Sequence, residues 1–152
     1  MEEFLERRDS ESKQIVVFSL ENEEFGVPIE CIKEIRKLSD LTITKVPRSK
    51  KYIAGVVNLR GRILPVIDLR VRFGMKESIT DASRIIVFEV EEDVCGAIVD
   101  AVTEVIKVPV DDIEPPAGAV SGIQRDYIEG IAKIGERLVV LVSLELIAKT
   151  QD

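Results

Sequence analysis

The chain has 152 residues, 45% of them hydrophobic and 32% charged, with a net charge of −7, no histidine and two cysteines. That length and apolar content amount to one domain with a real core, and the acidic balance argues against non-specific binding to nucleic acid or anionic membrane. Two thiolates alone do not close a tetrahedral zinc site, and no apolar run approaches the roughly 20 residues that span a bilayer.

The chain opens on MEEFLERRDSES (1–12). This stretch is too charged for a signal peptide and reads as a flexible tail on a soluble, cytoplasmic protein. Aromatic residues are only 5% and Trp is absent. Val, Ile and Leu must therefore fill the core, and they favour strands. Cys31 and Cys95 sit in apolar stretches and read as buried free thiols in a reducing compartment.

From residue 15 the chain is written twice. IVVFSLENEEFGVPIECIKEIRK (15–37) aligns without a gap with IIVFEVEEDVCGAIVDAVTEVIK (85–107), and seven of 23 positions are identical. YIAGVVNLRGRILPVIDLRVRF (52–73) aligns in the same way with YIEGIAKIGERLVVLVSLELIA (127–148), matching at Tyr52/Tyr127, Ile53/Ile128, Gly55/Gly130, Arg62/Arg137 and Leu69/Leu144. Two alignments in the same order indicate an internal duplication, with repeats at about 15–73 and 85–148. The loop around EPPAGAVSG (114–122) absorbs the difference in spacing.

Each repeat reads as a strand, a turn with acids at its tip, a second strand through Gly26 or Gly96, and a third over 33–38 or 102–108. A strand pair follows, around 56–59 and 62–67 in the first repeat and 131–134 and 137–142 in the second. Short strands punctuated by turns predict a barrel or sandwich. Each repeat then ends in a short helix: Asp68 and Gly74 bracket LRVRF as N-cap and C′ glycine, and Ser143 takes the cap position before the C-terminal helix. Leu69 and Phe73, four apart, should share its buried face. The expectation is a mainly β protein, with each repeat closing one small barrel and the two barrels packed on an apolar seam about a pseudo-two-fold axis.

The charge is uneven. Residues 45–76 carry nine Lys/Arg and one acid, Asp68, so the rest of the chain is strongly acidic. This is either a solvated face or a docking patch for an acidic partner. Within it, Leu59-Arg60-Gly61-Arg62 reads as a tight hairpin turn. Arg62 has a counterpart in Arg137 and is expected to serve the fold. Arg60 has none, since Gly135 stands there. It is either a partner-recognition residue, whose fork suits carboxylates and carbonyls, or an ordinary solvated turn arginine. Gly55/Gly130 and Gly26/Gly96 look like backbone requirements, and Tyr52/Tyr127 like a repeated packing element. Pro65, inside the following strand, predicts an edge or a bulge.

YIAGVVNLRGRILPVIDLRVRFG (52–74), FGVPIECIKEI (25–35) and VVLVSLELI (139–147) closely resemble the signatures of the CheW family, the coupling proteins of bacterial chemotaxis. The resemblance covers about residues 14–149, and the pattern NLRG-x-x-x-P-V-x-D-L is specific. It implies two five-stranded SH3-like barrels and a non-catalytic scaffold that needs no cofactor. Such a scaffold bridges chemoreceptor cytoplasmic tips to the regulatory domain of the histidine kinase CheA, in membrane-associated arrays. Residue by residue, it carries a receptor-contact role to Arg60 with Asn58 and Gly61, and partner-binding roles to Glu34, Ile32 and Gly55. The seam between barrels is where a receptor helix hairpin would lie.

Other functions are poorly served. The commonest general base is absent, and there is no phosphate-cradling loop, nucleophile elbow or metal-ligand cluster. A small-barrel nucleic-acid protein would add stacking aromatics to its basic face, and only Tyr52 and Phe73 are in range. Without the resemblance, the residues define a duplicated acidic barrel protein that acts as a binding module.

Overall fold

The computed structural model describes residues 11–116 and 125–149. The expected tail therefore lies almost wholly outside the described residues, as does most of the loop around 114–122. Eleven strands run β1 (Ser12–Leu20), β2 (Glu23–Pro28), β3 (Ile32–Lys37), β4 (Ile53–Leu59), β5 (Arg62–Asp68), β6 (Arg84–Val90), β7 (Asp93–Val99), β8 (Ala101–Pro109), β9 (Ile113–Glu114), β10 (Ile128–Ile134) and β11 (Arg137–Val142). One short helix, Leu69–Arg72, follows β5 and another, Leu144–Ala148, follows β11. Both are capped as the sequence indicates. The Asp68 side chain accepts from the Val71 N–H and the Ser143 side chain from the Leu146 N–H. Gly74 takes φ +86° after the first.

The strands form two small sheets, in the orders β8-β1-β2-β11-β10-β9 and β3-β6-β7-β5-β4. They divide the repeats differently from the simple expectation of one repeat per barrel. The β1–β2 hairpin of the first repeat pairs with β8 and β11 of the second. The β6–β7 hairpin of the second repeat pairs with β3 and β5 of the first. Within either repeat, the hairpin makes no ladder with the strands that follow it. Replacing each strand by its counterpart turns one sheet order into the other, with the two-residue β9 answered only by the isolated Thr44–Val56 bridge, so the pseudo-two-fold stands, but each subdomain is completed by the other repeat.

The physical reason lies in β1 and β6, which are buried on both faces. Ile15 and Val17 point into one subdomain with Val108, Ala132, Val139 and Leu141. Ile85 and Val87 point into the other with Leu38, Val57, Leu59, Leu64, Val66 and Ile98. The alternate residues, Val16, Phe18 and Leu20 on β1 and Ile86 and Phe88 on β6, fill the seam between the sheets with Phe25, Ile67, Leu69 and Ile147. The seam is the largest of the three cores. It is filled by the chain's own side chains, so a partner helix can meet only its rim, which includes Cys31, Ile32, Tyr52 and Tyr127. A fully buried aliphatic or aromatic side chain contributes about 1.5–3 kcal/mol by the hydrophobic effect, and the continuous apolar runs of β1 and β6 exist to supply two cores at once.

Pro65 does not mark an edge strand. β5 lies between β4 and β7, but its parallel ladder with β7 begins only at Val66. The proline sits just outside that ladder, where its missing N–H does least harm. Cys95 is buried as expected, whereas Cys31 is half-buried at the seam's rim.

Gly55 is a backbone requirement. Its φ is +148°, and a Cβ there would lie 2.2 Å from the Thr44 carbonyl oxygen. Thr44 bridges to Val56, and the β4–β5 register shifts between Ile53 and Gly55, with the same shift at Ile128/Gly130. Gly55→Ala should therefore lower stability by more than about 3 kcal/mol, a fall in melting temperature of roughly 6–12 °C. Gly61→Ala, which points into open space, should cost only about 1–2 kcal/mol for its positive φ; circular-dichroism melts of the pair check this. Burial pushes the Cys95 thiol up to about 11. In the native protein, mass-spectrometric mapping should find alkylation at Cys31 well before Cys95.

Candidate binding site

The β4–β5 hairpin closes through Arg60 (φ +53°) and Gly61 (φ +83°), two left-handed residues in succession. This is the geometry that matches the twist of paired strands. The Gly61 N–H donates to Asn58 Oδ1 at 2.9 Å, which stiffens the turn from within. A non-glycine residue in this region carries a conformational cost. In the second repeat the same position is Gly135, at φ +63°. The first repeat thus holds an arginine where glycine is the easy solution.

The side chain of Arg60 reaches across to β3. Nη1 donates to Glu34 Oε2 at 2.6 Å and Nη2 to Oε1 at 3.5 Å. Arg36 Nη1 adds a third contact, 3.3 Å from Glu34 Oε1. Glu34 and Arg36 are two apart on a strand and so share a face. A bulge at Lys33, between the register pairs Ile32↔Phe88 and Glu34↔Val87, re-aims that face. β3 and β4 are the two edges of their sheet, so the Arg60–Glu34 pair ties one edge to the turn that ends the other. Arg60 stays 75% exposed while Glu34 is 21% exposed. The acid is held and the guanidinium is offered to solvent.

The Arg60 guanidinium, chiefly through its hydrogen bond, holds the Glu34 carboxyl below its ordinary value of 4.5. A depressed folded-state value stabilises the folded chain above the ordinary value. That contribution is lost as pH falls through the lowered one.

The second subdomain solves the same problem with a different arginine. Glu104, the counterpart of Glu34, pairs with Arg137 on β11. Arg137 is also clamped by Glu24, Nε to Oε1 at 2.6 Å and Nη2 to Oε2 at 2.8 Å. The expectation that Arg62 plays the matching architectural part is overturned. Val94 stands where Glu24 would be needed, and Arg60 has taken Glu34. Arg62 is exposed and makes no ion pair among the described residues.

Of the residues singled out from sequence, Arg60, Glu34, Asn58 and Gly61 come together in one cluster. Ile32, before the bulge, pairs with Phe88 and packs on the seam, on the opposite face of β3 from Glu34, which pairs with Val87. Gly55 is buried, five residues along β4 from the turn, about 17 Å at strand rise. Sequence reasoning passed over Arg36, although its two-residue spacing from Glu34 was visible. It also passed over Ile63, opposite Asn58 in the ladder and 67% exposed beside the turn. The repeated tyrosines do pack. The Arg72 guanidinium lies 4.0 Å from the Tyr52 ring centroid and 5.5 Å from that of Tyr127. Its Nη2 donates to the carbonyls of Leu146 and Lys149, which holds the C-terminal helix.

Fold and site together define a duplicated two-subdomain adaptor that presents a rigid, charged hairpin turn. A CheW-like domain model matches residues 14–152, and the chain belongs to the CheW family of chemotaxis proteins. It is 37% identical over 142 residues to a probable chemotaxis protein CheW of Rhizobium etli, covering 92% of this chain and 90% of that one. It is also 37% identical over 134 residues to chemotaxis protein CheW of Bacillus subtilis, covering 86% and 83%. The crystal structure of the scaffolding protein CheW from Thermoanaerobacter tengcongensis superposes with a TM-score of 0.84 at 42% identity, covering 91% of this chain and 94% of that one. Among the described residues, no helix is long and apolar enough to cross a membrane.

Arg60→Gly tests the division between turn and contact. Glycine relieves the left-handed backbone, so the melting temperature should stay within about 2 °C of wild type or rise. Carbon-detected NMR should show the Glu34 carboxyl titrating nearer its ordinary value, with Arg36 still beside it. A clearly lowered melting temperature would make the pair mainly structural.

Proposed function

We propose that the chain is a non-catalytic cytoplasmic adaptor that couples the signalling tips of chemoreceptors to the histidine kinase CheA and is recruited with them to membrane-associated arrays. The receptor-facing contact is the Arg60 turn with Glu34, Asn58 and Gly61. Ile32 contributes from the adjoining seam rim, and Gly55 acts through the backbone that carries β4. Family membership supports the chemotaxis role. One observation supports the choice of contact: the first repeat keeps an arginine in a left-handed position, exposed and held by an acid, where the second uses glycine.

The chemistry suits a protein contact. A guanidinium held by one carboxylate still has donors pointing outward, and these meet a partner's carboxylates or carbonyls without first losing the motion of a free side chain. The mouth of the filled seam offers a neighbouring apolar rim for a helix.

Arg60→Glu should abolish most co-sedimentation of the chain with receptor-containing membranes while leaving the protein folded, and the amount of CheA recruited should fall with it. Arg60→Gly should weaken the same binding. Undiminished sedimentation of a folded Arg60→Glu protein would overturn the assignment of the turn.

A further inference from the structure

The basic loop between β3 and β4 has no part in the site above. Residues 45–51, KVPRSKK, are all exposed and carry Lys45, Arg48, Lys50 and Lys51. None of the four is ion-paired among the described residues, in a chain whose net charge is −7. The loop is nonetheless held in shape. Thr44 and Val56 exchange backbone hydrogen bonds of 2.9 and 2.8 Å at one end, and the Ile53 N–H donates to the Lys50 carbonyl at 3.0 Å at the other. Between them Ser49 Oγ donates to the Val46 carbonyl at 2.8 Å, and Pro47 fixes the backbone before Arg48, which sits at φ +64°. Leu41 and Ile43 anchor the approach to the loop on the subdomain core. Val46 stays 40% exposed among the charges. Unpaired cations on a pre-shaped loop lose little freedom when they bind, which is what favours a specific contact over a diffuse one.

We propose that loop 45–51 is a docking element for an acidic segment of a partner protein, separate from the Arg60 turn. β4 sets the separation: its seven residues put the loop and the turn at opposite ends, about 20 Å apart. The loop therefore stands as a contact of its own whether or not Arg60 meets a receptor. The four cations set the chemistry, and they fit a run of Asp and Glu. Val46 adds one apolar contact of the kind an acidic peptide with an occasional aliphatic residue would fill. A nucleic acid suits the loop less well. The nearest aromatic, Tyr52, lies under the Arg72 guanidinium with its ring packed on the seam, so it offers no face to a base. The strongly acidic remainder of the chain also repels a long polyanion more than a short peptide.

The test is fluorescence anisotropy with a labelled peptide of about a dozen residues rich in Glu and Asp, titrated with the full chain at low and near-physiological salt. The wild type should bind, more weakly as salt rises. Reversing all four cations (Lys45→Glu, Arg48→Glu, Lys50→Glu, Lys51→Glu) should weaken binding at least about ten-fold, and Arg60→Gly should bind within about two-fold of wild type. Should the four-fold variant fail to fold, Lys50→Glu with Lys51→Glu gives the same test, with a several-fold loss expected. No peptide binding by the wild type, or equal binding by the loop variants, overturns the proposal. So does a single-stranded oligonucleotide of equal charge that binds more tightly than the peptide. A salt-sensitive dimer of the wild type, lost in the loop variant, would identify the occupant as an acidic face of a second copy and overturn it as well.

Discussion

A strand buried on both faces has no side left for solvent, and the two that open the paired hairpins, β1 and β6, are of this kind. β1 and β6 each send alternate residues into a subdomain interior and into the common seam. Everything else is arranged around that demand. The hairpins that begin with these strands must lie in the interior of their sheets, and each finds its flanking ladder partners in the other repeat. The C-terminal helix, with Leu144 and Ile147 buried, closes the seam from one end, and Arg72 fixes it there by capping two of its carbonyls. The site that faces outward is thus carried on the periphery of a frame whose rigidity is central.

That frame lets symmetry be kept in the core and broken at the surface. Glu34 and Glu104 occupy the same place in the two subdomains, each on an edge strand just after a bulge. One is answered from the tip of a hairpin and the other from the first residue of the strand beyond it. The shift is two residues, Arg60 against Arg137, yet it changes what the charge can do. Arg137 is enclosed by two acids and spent on holding its own sheet. Arg60 has one strong partner and faces water. A difference of this kind separates an ion pair enclosed in its sheet from one that leaves a guanidinium open to solvent.

Much of the fold was legible because its signals are local. Asp68 and Ser143 cap their helices within three residues, Leu69 and Phe73 lie one turn apart, and the Arg60-Gly61 turn is set by its own conformational needs. The repeat was legible too, through Val17/Val87 and Phe18/Phe88. The exchange of hairpins was not. An apolar run such as IVVF shows that both faces are buried, but not which strands bury them, and the two closures bury the same residues. Arg62 misled for a related reason. Its identity with Arg137 suggested a shared role, whereas the role depends on acids on other strands. One of those, Glu24, has become Val94, a change visible in the same alignment. Gly55 shows the reverse case: the sequence indicated a backbone constraint, and its cause, the Thr44 carbonyl, lies eleven residues away at an isolated bridge outside the strands.

The hairpin exchange also bears on ancestry. A single repeat contains a hairpin and a strand set that make no ladder with each other, so one copy alone has no closed sheet. Two separate copies would close by trading hairpins, giving a symmetric dimer in which every surface feature appears twice. Joining the two copies in one chain through 74–83 preserves that architecture and removes its symmetry requirement. An arginine at the turn of one half no longer imposes an arginine on the other. Within one chain, two faces on the same frame carry different side chains, Arg60 on one and Gly135 on the other.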